Sequence, residues 1–279
     1  MCEVKISYKM YKKKCDENKK LQELIKELQD KLIMNETKKG QLCSINGIEY
    51  EKTVYNIIKN CMLNNKLFNT QLEDELGKTS MRNDVQCNFI NKKDIGIEIK
   101  KYNTPDWMQC TIKYNNDEKK WEANKNNKLT EKAREIFNKF INNVNLFDGE
   151  IPPFMKNTIT HEEWLKIKKN TNKWNDYYID IPNDTIKNMY LQKGCQYIQI
   201  SNGFGLYHLG TDICNFNVPE FIIEQRLRIR TKIHTRKNKN GFCNLSVTIS
   251  CQPKNINTLN KSSFSLDDVK KIPINLIHL

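Results

Sequence analysis

Residues 82–103, "RNDVQCNFINKKDIGIEIKKYN", contain two short runs in which apolar and polar residues alternate. In the second run, Ile95–Lys100, three isoleucines would occupy one face of a strand, while Glu98 and Lys100 would share the other. Asp84 opens the first run, and the polar segment between the runs suits a turn. The pattern therefore predicts a β-hairpin that brings two carboxylates and one ammonium group to the same edge of a sheet.

Composition limits what such a chain can do. The net charge of +13 and the sequence pI of about 9.1 favour an anionic partner. The abundance of Lys and Asn is also typical of an AT-rich bacterial or viral genome, which would raise the basic charge without functional meaning. The ten cysteines form no C-x-x-C pair, so we expect reduced thiols and no zinc finger.

Membrane and export signals are absent from the sequence pattern. No apolar run approaches the roughly eighteen residues of a membrane span. The first twenty residues, "MCEVKISYKMYKKKCDENKK", lack the apolar core of a signal peptide. We therefore expect a cytoplasmic protein that does not associate with a membrane.

The N-terminal part is predicted to be helical. Residues 16–38 place leucine and isoleucine at helical spacing, as in a short coiled-coil seam or a helix that docks on the rest of the chain. Asn46 and Glu49 suit a capping box that begins a second helix. We expect an N-terminal helical segment over 1–40 and one domain over 41–279.

The remaining elements predict a mixed α/β (α+β) chain. Helices are expected after the capping residues Thr130 and Thr160, and over 183–193. Strands dominate after residue 194, and Asn240-Gly241 is a strong signal for a hairpin turn. Helices and strands do not alternate strictly, so a mixed sheet flanked by helices is the expected architecture.

The predicted hairpin suits phosphodiester hydrolysis, which needs a divalent cation and a positioned water. Mg²⁺ prefers hard oxygen ligands, and Asp84, Glu98 and the carbonyl of Ile99 would supply them. Lys100 projects from the same strand face as Glu98 and would orient the water or help to deprotonate it. Glu51 lies on the apolar stripe of the preceding helix, where burial of an unpaired carboxylate is costly. We therefore expect it to have a function and to complete the candidate site.

This pattern is loose by itself, because E-x-K recurs by chance in a lysine-rich chain. The simpler interpretation is an exposed strand face with an ordinary ion pair. The context favours a catalytic site: a helix with an inward acid, then Asp84 at a strand start, then Glu98 and Lys100 on an alternating strand.

With these residues the chain resembles the PD-(D/E)xK nuclease superfamily. The motif is carried by Asn83-Asp84 and Glu98-Ile99-Lys100, with Glu51 as the helix acid, and Asn83 replaces the usual proline. Within the superfamily, residues 41–272 look most like small type II restriction endonucleases of the MspI/HinP kind. The supporting segments are "GKTSMRNDVQ", "DGEIPPF", and a basic hairpin followed by "SSFSLDDVKKI". Those enzymes tend to carry an amide where this chain has Glu98.

The basic hairpin is the candidate DNA-binding element. One face of "QRLRIRTKIHTR" repeats positive charge, and like charges on one strand repel each other unless an anion intervenes. A solvated basic edge strand is the alternative. Trp107 is equally suited to the core. The predicted DNA-binding residues are Lys101, Trp107, Gln109, Arg226, Arg228, Arg230, Lys232 and Arg236.

The resemblance implies a Mg²⁺-dependent endonuclease that cuts double-stranded DNA at a short, four-base palindromic site, with a restriction-endonuclease-like fold. A homodimer and a companion DNA methyltransferase are the further partners that it suggests. Two alternatives stay open: a structure-specific repair or recombination nuclease of the same fold, and a non-catalytic DNA-binding protein.

Overall fold

The structure is a computed structural model of the 279-residue chain, and it describes residues 8–69, 84–87, 95–104, 106–127, 129–237 and 243–279. The chain divides into two compact units, Met1–Ser44 and Ile45–Leu279. The predicted boundary between residues 40 and 41 stays a prediction. Within the described residues, no helix combines the length and the apolarity that crossing a bilayer requires.

The described helices are α1 (Tyr8–Ile58), α2 (Glu131–Asn142), α3 (His161–Lys169) and α4 (Thr185–Gln192). The predicted caps Thr130 and Thr160 are confirmed, and Thr160 forms a full capping box with Glu163. The predicted helix start at Asn46 is wrong, because α1 continues through it. Four apolar side chains of the N-terminal stripe, Leu21, Leu24, Ile25 and Leu28, are exposed.

The candidate hairpin belongs to a four-stranded mixed sheet with the order β3-β4-β8-β9. Its strands are β3 (Val85–Cys87), β4 (Ile95–Lys100), β8 (Cys195–Ile200) and β9 (Gly205–His208). Strands β3 and β4 pair antiparallel, as predicted, whereas β4 and β8 are parallel. Residues 95–99 of β4 are all buried, so both faces of this strand are covered by other parts of the protein.

A second sheet is antiparallel, with the order β6-β5-β11-β10-β7. Its strands are β5 (Trp107–Asn115), β6 (Lys120–Ala123), β7 (Tyr177–Ile181), β10 (Gln225–Lys237) and β11 (Cys243–Pro253). Strands β10 and β11 form the predicted basic hairpin, whose Asn240-Gly241 turn lies outside the described residues. Strands β5, β6 and β7 had no clear sequence signal and were not predicted.

The remaining strands, β1 (Cys61–Leu63), β2 (Lys66–Leu67) and β12 (Leu276–His278), form a small antiparallel sheet in the order β12-β1-β2. Short 3₁₀ turns occur at Leu146–Gly149, Pro153–Met155, Ile256–Thr258 and Val269–Lys271. Two apolar cores result. One packs α2, α3 and α4 against the five-stranded sheet, and the other packs the end of α1 against β3, β4 and β8. The predicted mixed α/β class is confirmed.

Candidate active site and nucleic-acid face

Strand β4 carries Glu98 into the protein interior. The isoleucines at 95, 97 and 99 fill the core on one face, and the side chain of Glu98 on the other face is only 2% exposed. A buried carboxylate needs compensating partners, since transferring an isolated charge out of water is costly. The contacts of Glu98 therefore define the candidate site.

Two lysines provide this compensation. The Nζ of Lys100 lies 2.6 Å from Oε1 of Glu98, and the Nζ of Lys193 lies 2.7 Å from Oε2. Burial acts to raise the pKa of Glu98, but the two ammonium groups outweigh it and lower that pKa. Lys193 was missed by the sequence analysis, because the parallel pairing of β4 with β8 that brings it here was not predicted.

Asp84 lies beside this pair at the start of β3. Its Oδ2 accepts a hydrogen bond of 2.8 Å from the main-chain N–H of Ile99, and the Nζ of Lys100 is 3.6 Å away. Burial and the negative charge of Glu98 raise the pKa of Asp84. The hairpin thus brings Asp84, Glu98 and Lys100 together, as the sequence analysis expected. Asn83 lies outside the described residues.

Glu51, on the last turns of α1, is the fourth member. Its Oε2 is buried and has no hydrogen-bond partner among the residues that the structure describes. Burial, followed by the negative charge of Asp84, raises the pKa of Glu51 from 4.5 to about 7. The charges of Asp84, Lys100, Glu98 and Lys193 all act on Glu51, so the helix acid lies near the hairpin residues. We call Glu51, Asp84, Glu98, Lys100 and Lys193 the carboxylate–lysine site.

A buried polar network holds α1 behind this site. The hydroxyl of Tyr50, next to Glu51, donates a 2.7 Å hydrogen bond to Asp267 and accepts one of 3.1 Å from the amide of Gln199. The same amide donates to Ser265 at 2.8 Å, and the Oε1 of Gln199 accepts from the N–H of Leu266. Gln199 is on β8, so the network fixes the helix acid relative to the central sheet.

Lys100 is an ammonium group in this setting. Burial acts to lower its pKa, but the carboxylates of Asp84 and Glu98 outweigh burial and raise the pKa well above its usual value. An ammonium group donates hydrogen bonds and cannot accept a proton. In the structure Lys100 therefore donates to Glu98, and both roles expected for it in catalysis stay predictions.

The carboxylates suit a hydrated magnesium ion. Within the described part of the chain, no group of three or more His, Cys, Asp and Glu side chains is arranged to hold a metal ion. Mg²⁺ usually needs only one or two protein carboxylates, with water and substrate oxygens completing its shell. Asp84 and Glu98 offer such hard donors, and the unpartnered buried Oε2 of Glu51 offers another. The residues present therefore fit the ion.

The basic strand β10 has a different arrangement from the one expected. Its arginines share one face of the sheet, as predicted, but two aspartates from other elements form ion pairs with two of them. Asp176 contacts Nη2 of Arg228 at 2.6 Å, and Asp106 contacts Nη2 of Arg230 at 3.1 Å. The expectation that only an external anion separates these charges is therefore wrong. We call the β10 side chains of Arg226, Arg228, Arg230 and Lys232 the arginine face.

Asp106 is itself anchored in this face. It accepts hydrogen bonds from the hydroxyl of Ser250 at 2.7 Å and from the amide of Gln252 at 2.8 Å. Burial acts to raise its pKa, but these hydrogen bonds and the positive charge of Arg230 lower it. The guanidinium group of Arg226 lies 4.2 Å from the ring centroid of Tyr178. The face is thus an ordered network that holds its cations in fixed positions.

The other predicted DNA contacts fall in different environments. Trp107 is 1% exposed and stacks on Phe221, so its predicted contact with DNA is wrong and it is a core residue. Gln109 is exposed on β5, and Lys101 is half-buried just after β4. Burial and the charge of Arg230 lower the pKa of Lys232. The side chain of Arg236 lies outside the described residues.

Comparison with known proteins gives little further information. No family model matches the chain, and no curated protein matches it. A solved structure of the HhaI endonuclease in complex with DNA aligns with a TM-score of 0.31 and 16% sequence identity. The alignment covers 74% of this chain and 91% of that chain. A similarity at this level supports no conclusion about function. The function is therefore inferred from the candidate site residues.

Proposed function

We propose that the protein is a Mg²⁺-dependent endonuclease that hydrolyses phosphodiester bonds of double-stranded DNA at a short, four-base palindromic site. One observation supports this proposal: Glu51 of α1, Asp84 just before β3, and Glu98 and Lys100 of β4 lie near one another in a largely buried site. A solvated strand face would not need this convergence. The net charge of +13 adds an electrostatic preference for a polyanion.

The residues of the site would divide the work. Asp84 and Glu98 would hold the ion, with the carbonyl of Ile99 and the carboxylate of Glu51 as further oxygen donors. The ion would supply Lewis-acid polarisation of the phosphate and a lowered pKa for a bound water. Lys100 would orient the attacking water and donate a hydrogen bond to the phosphate as negative charge develops on it.

DNA would be held by charge outside the site. The arginine face would contact phosphates, and its guanidinium groups offer donors that match the O6 and N7 of guanine. Lys101 and Gln109 lie after β4 and on β5, where they would contact DNA near the scissile bond.

The decisive test is incubation of purified protein with unmethylated linear DNA and Mg²⁺, resolved on a gel, beside Lys100→Ala. Discrete bands that disappear in the variant would support the proposal, and sequencing of the ends would give the site. Lys254→Ala is a matched control, because Lys254 pairs with Asp180 and Glu224 instead of the site carboxylates. Intact DNA with the wild type under all divalent ions would contradict the proposal.

A structure-specific repair or recombination nuclease is the second candidate. It is favoured by the pairing of Arg228 with Asp176 and of Arg230 with Asp106, because paired guanidinium groups have fewer free donors for reading bases. Branched DNA would then be cut faster than linear duplex of the same sequence. Preference for linear duplex with a fixed cutting position would exclude this candidate.

A further inference from the structure

Lys193 belongs to the carboxylate–lysine site, yet the proposed reaction gives it no role. Its side chain is 5% exposed, and its Nζ lies 2.7 Å from Oε2 of Glu98. Lys100 contacts the other oxygen, Oε1, at 2.6 Å. The ring centroid of Tyr190 lies 5.4 Å from the Nζ of Lys193 and 5.6 Å from the Nζ of Lys100, so this ring packs beside both lysines. Both oxygens of one predicted metal ligand are thus already engaged by cations.

The backbone on both sides fixes Lys193 in this position. Lys193 is the C-cap of α4, and its N–H donates to the carbonyls of Leu191 and Tyr190. A positive charge is favourable at the C-terminal end of a helix. Two residues later Cys195 begins β8, pairs with Gly96, and places its Sγ 3.6 Å from the same Oε2 of Glu98. The contact is therefore built into the junction of α4 and β8.

We propose that Lys193 acts as an internal cation that competes with the divalent metal ion for Glu98. An ion bound at Oε2 would lie close to an ammonium group, and the repulsion between these like charges weakens binding. A DNA phosphate in the site would add negative charge and offset the repulsion, so metal and DNA would bind cooperatively. This inference rests on the proposed function, since it assigns Glu98 to a metal ion.

The test is calorimetric titration of Ca²⁺ and of Mg²⁺ into the full-length protein without DNA. Lys193→Gln and Lys193→Met remove the charge, and Lys193→Arg retains it. We expect both neutral variants to bind either ion at least about tenfold more tightly than the wild type, and Lys193→Arg to stay within about threefold. Gln can still donate a hydrogen bond to Glu98, so Lys193→Gln keeps the test valid where Lys193→Met fails to fold.

Lys187→Gln provides the matched control. Lys187 lies on α4, the helix that ends at the C-cap Lys193, but its Nζ pairs with Glu220 at 2.6 Å. This variant loses the same unit of charge and is expected to bind the ions like the wild type. If Lys187→Gln binds the ions more tightly by the same factor, the change in net charge alone explains the effect, and the inference is overturned.

Failure of the inference can be separated from failure of the proposed function. If the wild type cuts DNA and Lys100→Ala does not, while the neutral Lys193 variants bind metal no more tightly, only the role of Lys193 is wrong. If no DNA is cut but the neutral variants still bind metal more tightly, the competition stands and the nuclease proposal fails. No detectable metal binding by any variant would overturn the inference as well.

Discussion

The main-chain N–H of Ile99 donates a hydrogen bond of 2.8 Å to Oδ2 of Asp84. This bond joins the two strands of the candidate hairpin beyond their last paired residues, Val85 and Ile97. In an extended strand, the N–H and C=O of one residue face the same side. The carbonyl of Ile99 is therefore directed toward the side of the strand on which Asp84 lies, and its role as a metal ligand stays a prediction.

Asp84→Asn should abolish cleavage while keeping the fold. The Oδ1 of asparagine can still accept from the N–H of Ile99, but the neutral amide is a poor ligand for Mg²⁺. We expect a loss of about 4 kcal/mol of transition-state stabilisation, or about a thousandfold in rate. Single-turnover cleavage at saturating Mg²⁺ measures this loss. Asp180→Asn, which changes an exposed aspartate paired with Lys254, should leave the rate unchanged; comparable loss in both variants would contradict the role of Asp84.

Glu51→Gln should stabilise the metal-free protein at high pH. The pKa of Glu51 is raised from 4.5 to about 7 on folding, so the folded state binds more protons than the unfolded state between these values. Stability therefore falls as pH rises from about 4.5 to about 7, and a glutamine removes this loss. After discounting for partial exposure, we expect a gain of about 1–2 kcal/mol at pH 8.

Thermal denaturation in EDTA at pH 8 and at pH 4.5 measures this effect. The gain at pH 8 corresponds to an increase in Tm of roughly 2–4 °C, and it should vanish at pH 4.5. Saturating Mg²⁺ should reduce the gain, because the ionised carboxylate of Glu51 is an additional ligand that only the wild type offers, so the ion stabilises the wild type more than the variant. A gain that is the same at both pH values would show that burial of a charge at Glu51 is not its cause.

Much of the site could be predicted because its signals are local. The alternation in Ile95–Lys100 indicated both the strand and the face that carries Glu98 and Lys100. The helical period likewise placed Glu51 on the apolar stripe of its helix, although α1 does not begin at Asn46. The helix continues through Asn46-Gly47 although both residues have low helix propensity, and a capping pattern alone cannot reveal that the preceding turns are helical too.

The missed residues depend on long-range pairing. Lys193 reaches Glu98 across 95 positions of sequence, through a parallel pairing of β4 and β8 that no local pattern encodes. Asp106 and Asp176 immediately precede β5 and β7, two strands that were not predicted. Their pairing with the arginines of β10 was therefore invisible, and the charge of that strand was taken for a free phosphate-binding surface.

Tyr50→Phe should weaken both stability and cleavage. The change removes the hydrogen bond to Asp267 and leaves the amide of Gln199 with one acceptor fewer. We expect a loss of about 1–3 kcal/mol in the free energy of unfolding, measured by urea denaturation. Because the network holds the helix turn that carries Glu51, kcat should fall as well. Tyr177→Phe, at an exposed position of the edge strand β7, is the control and should change neither. If kcat is unaltered in Tyr50→Phe, the network contributes to stability but not to catalysis.

Asp106→Asn should tighten DNA binding. Asp106 contacts Arg230 at 3.1 Å and Arg228 at 3.6 Å, so its neutralisation would leave more positive charge on the arginine face for phosphates. We expect about threefold to tenfold higher affinity at low salt, and a dependence of log Kd on log salt that is steeper by about 0.9 for each additional DNA phosphate that the face neutralises. Fluorescence anisotropy across a salt series, with EDTA to prevent cleavage, measures both quantities. Glu220→Gln is the control, because it also removes one negative charge but leaves Lys187 on α4, instead of an arginine of β10, without its carboxylate partner. If both variants bind DNA more tightly by the same factor, net charge explains the effect and the arginine face is not the DNA-binding surface.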